Sequence, residues 1–251
     1  MLEKINIEDI KKLALEAGEA ILKIYKKDFN VDYKDDKSPL TEADLKSNEI
    51  ICSKLNELYP NIPIMSEENK QVEYVLRKNW EYYWCVDPID GTKEFIKKND
   101  EFTVNIALIH HDTPVLGVVY APALGDMYSA KSEYGSFKNG KKLPLYVNNK
   151  ANEKLTVVAS KSHLSNETKD FINSLDAKEI EQVSKGSSLK LCMVAEGIAD
   201  IYPRLAPTME WDTAAADAIV REAGKMTYQF GLNQPIVYNK ESLLNPWFIV
   251  Q

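Results

Sequence analysis

Asp87 and Asp90 close an aromatic and β-branched run, Tyr82-Tyr83-Trp84-Cys85-Val86, and are followed directly by Gly91-Thr92. The run predicts a strand, Pro88 stops its ladder, and Gly91-Thr92 can open a helix. Two carboxylates then converge at one strand end. Carboxylate and carbonyl oxygens at that spacing suit a hard cation such as Mg2+, and the helix start beyond offers backbone N–H groups to a phosphate. Asp and Gly are also ordinary turn formers, so the D-x-x-D-G segment by itself is equally a strand-to-turn connection.

Further acids stand where elements begin and end. Glu67 and Glu68 follow the short apolar run Ile62-Pro63-Ile64-Met65, a place where acids are commonly just solvated. Asp44 falls in the first turn of a helix announced by Ser38-Pro39-Leu40-Thr41, where complementing the helix dipole is the simpler role. Asp212 opens an alanine-rich helix, Trp211 to Gly224, as its expected N-cap. Two small-residue segments could receive an anion: Ser160-Lys161-Ser162-His163 after a strand, and Gly186-Ser187-Ser188-Leu189-Lys190 at a helix entry. A plain Ser-rich turn is the better reading of the first from these residues alone. Two other patterns fail. Gly135 to Lys142 matches G-x-x-x-x-G-K but puts Lys142 where a P-loop needs Ser or Thr, and Asn139-Gly140 reads as a hairpin turn. His110 and His111 are adjacent, so on a strand they point to opposite faces and cannot share a metal.

The elements that position these groups follow from periodicity. Ile7, Ile10, Leu13, Ala14, Ala17, Ile21 and Ile24 predict a long one-faced helix to about Lys26. Leu45, Ile51, Leu55 and Leu58 predict a second, ended by Tyr59-Pro60-Asn61. Strands are expected at 102–109, 116–120, 127–130, 155–159, 199–204 and 247–250, with helices around 169–175 and from 186 to 197. Asp32 to Lys37 and Asn148 to Glu153 are polar connections. The second is the expected seam between sub-lobes 1–148 and 149–251 of one domain spanning 1–251. Helices first, strands in the middle and alternating elements afterwards predict a layered α+β fold.

The 251 residues carry 31 Lys and Arg against 38 Asp and Glu, a net charge of -7. Nucleic-acid binders neutralise phosphates with clustered cations, so nucleic acid is not an expected partner, and the acid surplus fits a cation site. Cys52, Cys85 and Cys192 are odd in number and lack C-x-x-C spacing, which argues against disulfides and zinc and for a reducing compartment. No apolar run approaches the roughly 18 residues of a membrane span, and Glu3, Lys4, Glu8 and Asp9 do not read as a leader. A soluble cytoplasmic protein without a transmembrane segment is expected.

Three separated motifs in order resemble the signature set of the inositol monophosphatase superfamily: Ser66-Glu67-Glu68, Asp87-Pro88-Ile89-Asp90-Gly91-Thr92 and Trp211-Asp212-Thr213-Ala214-Ala215. The likeness extends to the helix start from Ser38 to Asp44. Gly91-Thr92-Lys93-Glu94-Phe95, Ser160 to His163, and Gly186 to Lys190 through Tyr202-Pro203-Arg204 look most like its CysQ-type 3'(2'),5'-bisphosphate nucleotidases. The resemblance implies a layered α-β-α-β-α sandwich with the site between two lobes. It implies Glu67, Asp87, Asp90, Asp212 and the Ile89 carbonyl as ligands of two or more Mg2+ ions. Asp44 and Thr92 would be the catalytic pair orienting the attacking water, with the Gly91 and Thr92 N–H groups holding the transferred phosphate. His163, Ser187, Lys190 and Arg204 would join Glu67, Ile89, Asp90, Gly91, Thr92 and Asp212 in binding a nucleoside bisphosphate. Lys190 and Arg204 would clamp its second anion, far from the scissile bond.

The implied activity is hydrolysis of adenosine 3',5'-bisphosphate to AMP and phosphate, with 3'-phosphoadenylyl sulfate as a second substrate. It would be inhibited by Li+, tied to sulfate assimilation and carried by a monomer, cytoplasmic or peripheral at the inner face of the cell membrane. Such chemistry needs metal because a phosphate monoester is already anionic and resists attack until its oxygens are neutralised. Lys161, where the family often has Arg, and Gly224-Lys225, in place of a frequent Gly-Gly pair, depart from the pattern and bear on substrate preference. Two rival expectations stand. An inositol or sugar-phosphate monoesterase would not need Lys190 and Arg204, and a non-catalytic nucleotide-binding protein on the same fold would be expected to have lost an acid or Thr92.

Overall fold

The computed structural model describes residues 1–34, 39–148, 153–160 and 164–251. Helix α1 (Ile7–Tyr25) starts after Asn6, whose side chain accepts the Glu8 N–H, and buries Ile10, Leu13, Ala14, Ala17 and Ile21 as one stripe. A short antiparallel pair, β1 (Val31–Tyr33) with β2 (Pro39–Thr41), leads into α2 (Glu42–Leu58). The stripe expected for α2 is only partly right: Leu45 and Leu58 are exposed, while Ala43, Asp44, Ser47, Ile51 and Leu55 face inward. The helix turns Asp44 and Ser47 toward the end of β4, and its buried apolar contact is made by Ala43, Ile51 and Leu55.

The central sheet has seven strands in the order β3 (Ile64–Ser66), β4 (Tyr82–Asp90), β5 (Thr103–His110), β6 (Thr113–Ala121), β7 (Asp126–Lys131), β8 (Gly135–Lys138) and β9 (Lys141–Lys142). β3 runs parallel to β4 and the rest are antiparallel. Two short helices, α3 (Tyr74–Arg77) and α4 (Thr92–Ile96), flank β4 in sequence. Trp84 and Val86 pack against α1 and α2, and Tyr83 and Cys85 pack against the helices on the other face. Burial on both faces is why this strand reads as a continuous apolar run. Asn139 (φ 48°) and Gly140 (φ 78°) make the tight β8–β9 turn, in keeping with the hairpin reading of that segment.

The second half adds β10 (Lys154–Ala159), α5 (Asn166–Asn173), β11 (Glu179–Ser184), α6 (Leu189–Glu196), β12 (Tyr202–Arg204), α7 (Glu210–Glu222), β13 (Thr227–Gln229) and β14 (Phe248–Val250). α7 lies directly on the large sheet because its contact residues are small. A Cβ on Gly117 of β6 would collide with the Ala215 carbonyl, and Ala214, Ala216 and Ala218 continue the flat face. Beyond α6 and α7 come a parallel pair, β10–β11, and a three-stranded sheet, β12-β14-β13. α5 closes that side through Ile172, packed on Val157 and Ala159. The layers therefore run α, β, α, β, α, as the resemblance implied, and the three cysteines are free.

Candidate active site

A cavity of about 580 Å3 opens where β4 ends. Its walls include Glu67, Asp87, Asp90, Thr92, Lys190, Arg204 and Asp212, together with Ile89, Gly91 and Ser187. Carboxylate oxygens of Glu67, Asp87 and Asp212 lie within 4.8 Å of one another. Each arrives from a different element. Glu67 follows β3 and is held in the sheet by its N–H on the Val86 carbonyl at 3.1 Å, Asp87 is in β4, and Asp212 is in the first turn of α7. Asp212 is not the N-cap expected of it: the helix begins after Met209, and Asp212 Oδ2 accepts the Met209 N–H at 2.8 Å from inside the turn. Among the described residues Asp90 stands outside the tight trio, where the Lys190 charge and the Ser188 N–H favour its ionised form.

This crowding is electrostatically expensive. Burial pushes Asp87 well above the usual carboxylate range, and Glu67, Asp90 and Asp212 push it further. Burial raises Asp212 to about 8, with Asp90 adding to the shift. Asp90 rises to about 6 through burial, against the pull of Lys190. Acids that repel one another in a dry site need a cation to ionise together, and an all-oxygen donor set of this kind fits a hard divalent ion. Lys34 places Nζ 2.7 Å from both Glu67 Oε1 and Glu68 Oε1. Burial works against the charged form of this lysine, but Glu67 and Glu68 outweigh it and raise its pKa. Glu68 belongs to the Ser66-Glu67-Glu68 motif but was not an expected site residue, and Lys34 was not singled out at all. Nothing local marks Lys34, because it reaches the end of β3 only in the folded chain.

The Thr92 hydroxyl donates to Asp44 Oδ1 at 3.1 Å, with the Ile89 carbonyl at 3.3 Å as its more distant neighbour. Asp44 Oδ2 accepts the Thr41 N–H at 2.8 Å and the Thr41 hydroxyl at 2.6 Å. The capping role and the contact with Thr92 therefore coexist in one carboxylate, one oxygen for each. Burial raises its pKa, and the Thr41 and Thr92 hydrogen bonds oppose the shift. The same helix reaches the strand end through Ser47, whose hydroxyl donates to the Pro88 carbonyl at 2.9 Å. At Gly91, φ is 93° and a Cβ would come within 3.1 Å of the Glu101 carbonyl oxygen, so the turn into α4 is closed to other residues.

The opposite wall is cationic. Lys190 is buried, donates to the Ser187 carbonyl at 2.6 Å and lies over the Tyr202 ring. Burial lowers it to about 8, and Asp90 is the strongest charge pulling the other way. Its charge is thus felt by both the Asp90 carboxylate and the Arg204 guanidinium that share the cavity. Arg204 donates from Nη2 to the Pro207 carbonyl at 2.9 Å, and its buried Nε has no partner among the described residues. Ser187 adopts φ 48°, and its buried hydroxyl also lacks a partner among the described residues. Ser160 lines the cavity. His163, with Ser38, Lys161 and Ser162, lies outside the described residues.

The model of the inositol monophosphatase family matches residues 2–246, and the chain belongs to that family. Within it, the chain is 44% identical over 247 residues to the 3'(2'),5'-bisphosphate nucleotidase CysQ of Shigella flexneri, across 97% of this chain and 98% of that protein. The crystal structure of CysQ from Bacteroides thetaiotaomicron matches with a TM-score of 0.86 and 46% identity, covering 95% of this chain and 94% of that one. The Thermotoga maritima IMPase matches at 0.75 with 27% identity, covering 96% and 89%. Among the described residues no helix is long and apolar enough to cross a membrane.

Proposed function

We propose that this protein is a Mg2+-dependent phosphoric monoester hydrolase that removes the 3'-phosphate of adenosine 3',5'-bisphosphate, giving AMP and phosphate, with 3'-phosphoadenylyl sulfate as a second substrate. One observation carries the reading: a single cavity joins three carboxylates within 4.8 Å, Thr92 bonded to Asp44, and the cations Lys190 and Arg204. The likeness to CysQ proteins over nearly the whole chain supports a nucleotide over an inositol phosphate. Held by Glu67, Asp87, Asp90, Asp212 and the Ile89 carbonyl, Mg2+ would neutralise phosphoryl oxygens, acidify water and stabilise the leaving alkoxide.

The chain's own groups aim the reaction. Asp44, fixed by Thr41, takes the Thr92 proton in a hydrogen bond, which leaves a Thr92 lone pair to accept one from the attacking water and hold it in line. The Gly91 and Thr92 N–H groups receive the transferred phosphate at the start of α4. Lys190 and Arg204 answer the extra charge of a bisphosphate, Arg204 through its planar fork. Ser187 and His163 complete the nucleotide contacts. On this reading the enzyme is a cytoplasmic, Li+-sensitive participant in sulfur metabolism. Phosphate release from adenosine 3',5'-bisphosphate and from inositol 1-phosphate, each with Mg2+ and with or without Li+, tests it. A strong nucleotide preference, suppressed by Li+, is expected. Preference for inositol phosphate would overturn the roles of Lys190 and Arg204, and turnover in the absence of divalent metal would overturn the acid cluster as a metal site.

A further inference from the structure

We infer that Thr103, Asn105 and Ser188 form a buried hydrogen-bonded lock that positions the Asp90 carboxylate and the Ser187–Lys190 segment as one unit. The inference rests on the Mg2+ reading above. Ser188 has one hydroxyl proton, and it goes to Asn105 Oδ1 at 2.9 Å. The 2.9 Å contact between Ser188 Oγ and Thr103 Oγ1 must then run from the Thr103 hydroxyl to Ser188. The relay is directional, Thr103 to Ser188 to Asn105, and all three residues are no more than 1% exposed, so water does not compete for any bond in it.

The lock lies against the acids. In the β4–β5 register Asn105 is opposite Asp87 and Thr103 is opposite Asp90. Ser188 is held by its side chain to Thr103, the β5 residue paired with Asp90, and its backbone N–H favours the ionised Asp90 carboxylate. Its chain neighbours are fixed as well. The Ser187 carbonyl accepts from Lys190 Nζ at 2.6 Å, and the Gly186 N–H donates to Glu101 Oε2 at 2.8 Å. A Cβ at Gly186 would sit 2.8 Å from the Glu101 carbonyl oxygen, so the segment is wedged onto the entry to β5 with no slack. The positions of a candidate metal acid and of the cation that faces substrate therefore depend on the same three polar side chains. Thr103, Asn105 and Ser188 are positioning residues: they act through Asp90 and Lys190.

Mg2+ titration of the substrate-free protein by calorimetry, with melting temperature in parallel, tests this. Thr103→Val keeps the shape and removes the donor, and Thr103→Ser keeps the donor and removes a methyl group. Thr103→Val and Ser188→Ala are expected to weaken Mg2+ binding about 10-fold or more, with Thr103→Ser within about 2-fold of wild type whatever each does to melting. Unchanged Mg2+ affinity in Thr103→Val and Ser188→Ala, with only stability reduced, would overturn the lock. Asp90→Asn separates the two readings. Weaker binding there but not in Thr103→Val sinks the lock and leaves the metal site standing, whereas wild-type affinity in Asp90→Asn sinks both.

Discussion

Of the four acids on helix α7, Glu210, Asp212 and Asp217 show that the fold treats a desolvated carboxylate in two ways. Glu210, fully buried, accepts the Asn239 N–H at 2.7 Å, the Lys240 N–H at 3.0 Å and Lys240 Nζ at 2.6 Å. Asp217, also fully buried, takes Arg221 Nε at 2.9 Å and the Tyr238 hydroxyl at 3.0 Å. Asp212 lies between them in sequence, takes the Met209 N–H, and meets two further carboxylates, Glu67 and Asp87. Burial raises both Asp212 and Asp217, but a cation opposes the shift strongly at Asp217, where Arg221 is the main counterweight, and Asp90 reinforces it at Asp212. Burial alone does not mark a functional acid. The informative difference is what converges on it: protein donors in a structural network, other acids in a cluster that could hold a cation.

The contrast can be broken at either end of the helix. Asp212→Asn should cost about 1,000-fold in kcat/KM, equivalent to about 4 kcal/mol, while the metal-free protein melts no lower than wild type, since one crowded charge is gone. A fall in melting temperature matching the loss of activity would place Asp212 with the structural acids. Glu210→Gln should do the reverse, losing about 3 kcal/mol of stability in denaturant titration because a buried pair is broken, with Mg2+ affinity unchanged. Weakened Mg2+ binding there would erase the distinction. Thr92→Ala should lower kcat about 100-fold and Thr92→Ser much less, as steady-state kinetics would reveal, because in the proposed mechanism the hydroxyl bonded to Asp44 is what aims the attacking water.

The smallest effect sharpens the comparison through pH. In the folded, metal-free chain Asp90 is raised to about 6 and Asp212 to about 8, above the ordinary 3.8 of an unfolded Asp. Between those limits the folded state binds more protons than the unfolded one, so stability falls as pH rises from about 4 to about 8. Melting in chelator should therefore drop from pH 5 to pH 8, and the rise on adding Mg2+ should be larger at pH 8. Equal Mg2+ shifts at both pH values would count against charge crowding as the basis of the site.

Much of this molecule is legible in its local residue patterns. The one-faced stripe of α1, the apolar run into Asp87, the Asn139-Gly140 turn and the small residues of α7 each follow from interactions within a few neighbours, and chain order alone collects the motifs that resemble one family. The Thr41-x-x-Asp44 pair is likewise written locally, as a cap. Tertiary structure decided which acids meet. Glu67, Asp87 and Asp212 come from β3, β4 and α7, and only the packing of α7 on the sheet, through Gly117 and its alanines, brings them within 4.8 Å. It also moved Asp212 off the N-cap, exposed Leu45 and Leu58, paired Lys34 with Glu67 and Glu68, and set Lys190 against Asp90. Periodicity, caps and turns are short-range preferences written in adjacent side chains. Desolvation and charge convergence depend on distances that exist only after the layers have closed, and the chemistry of this site is made of those.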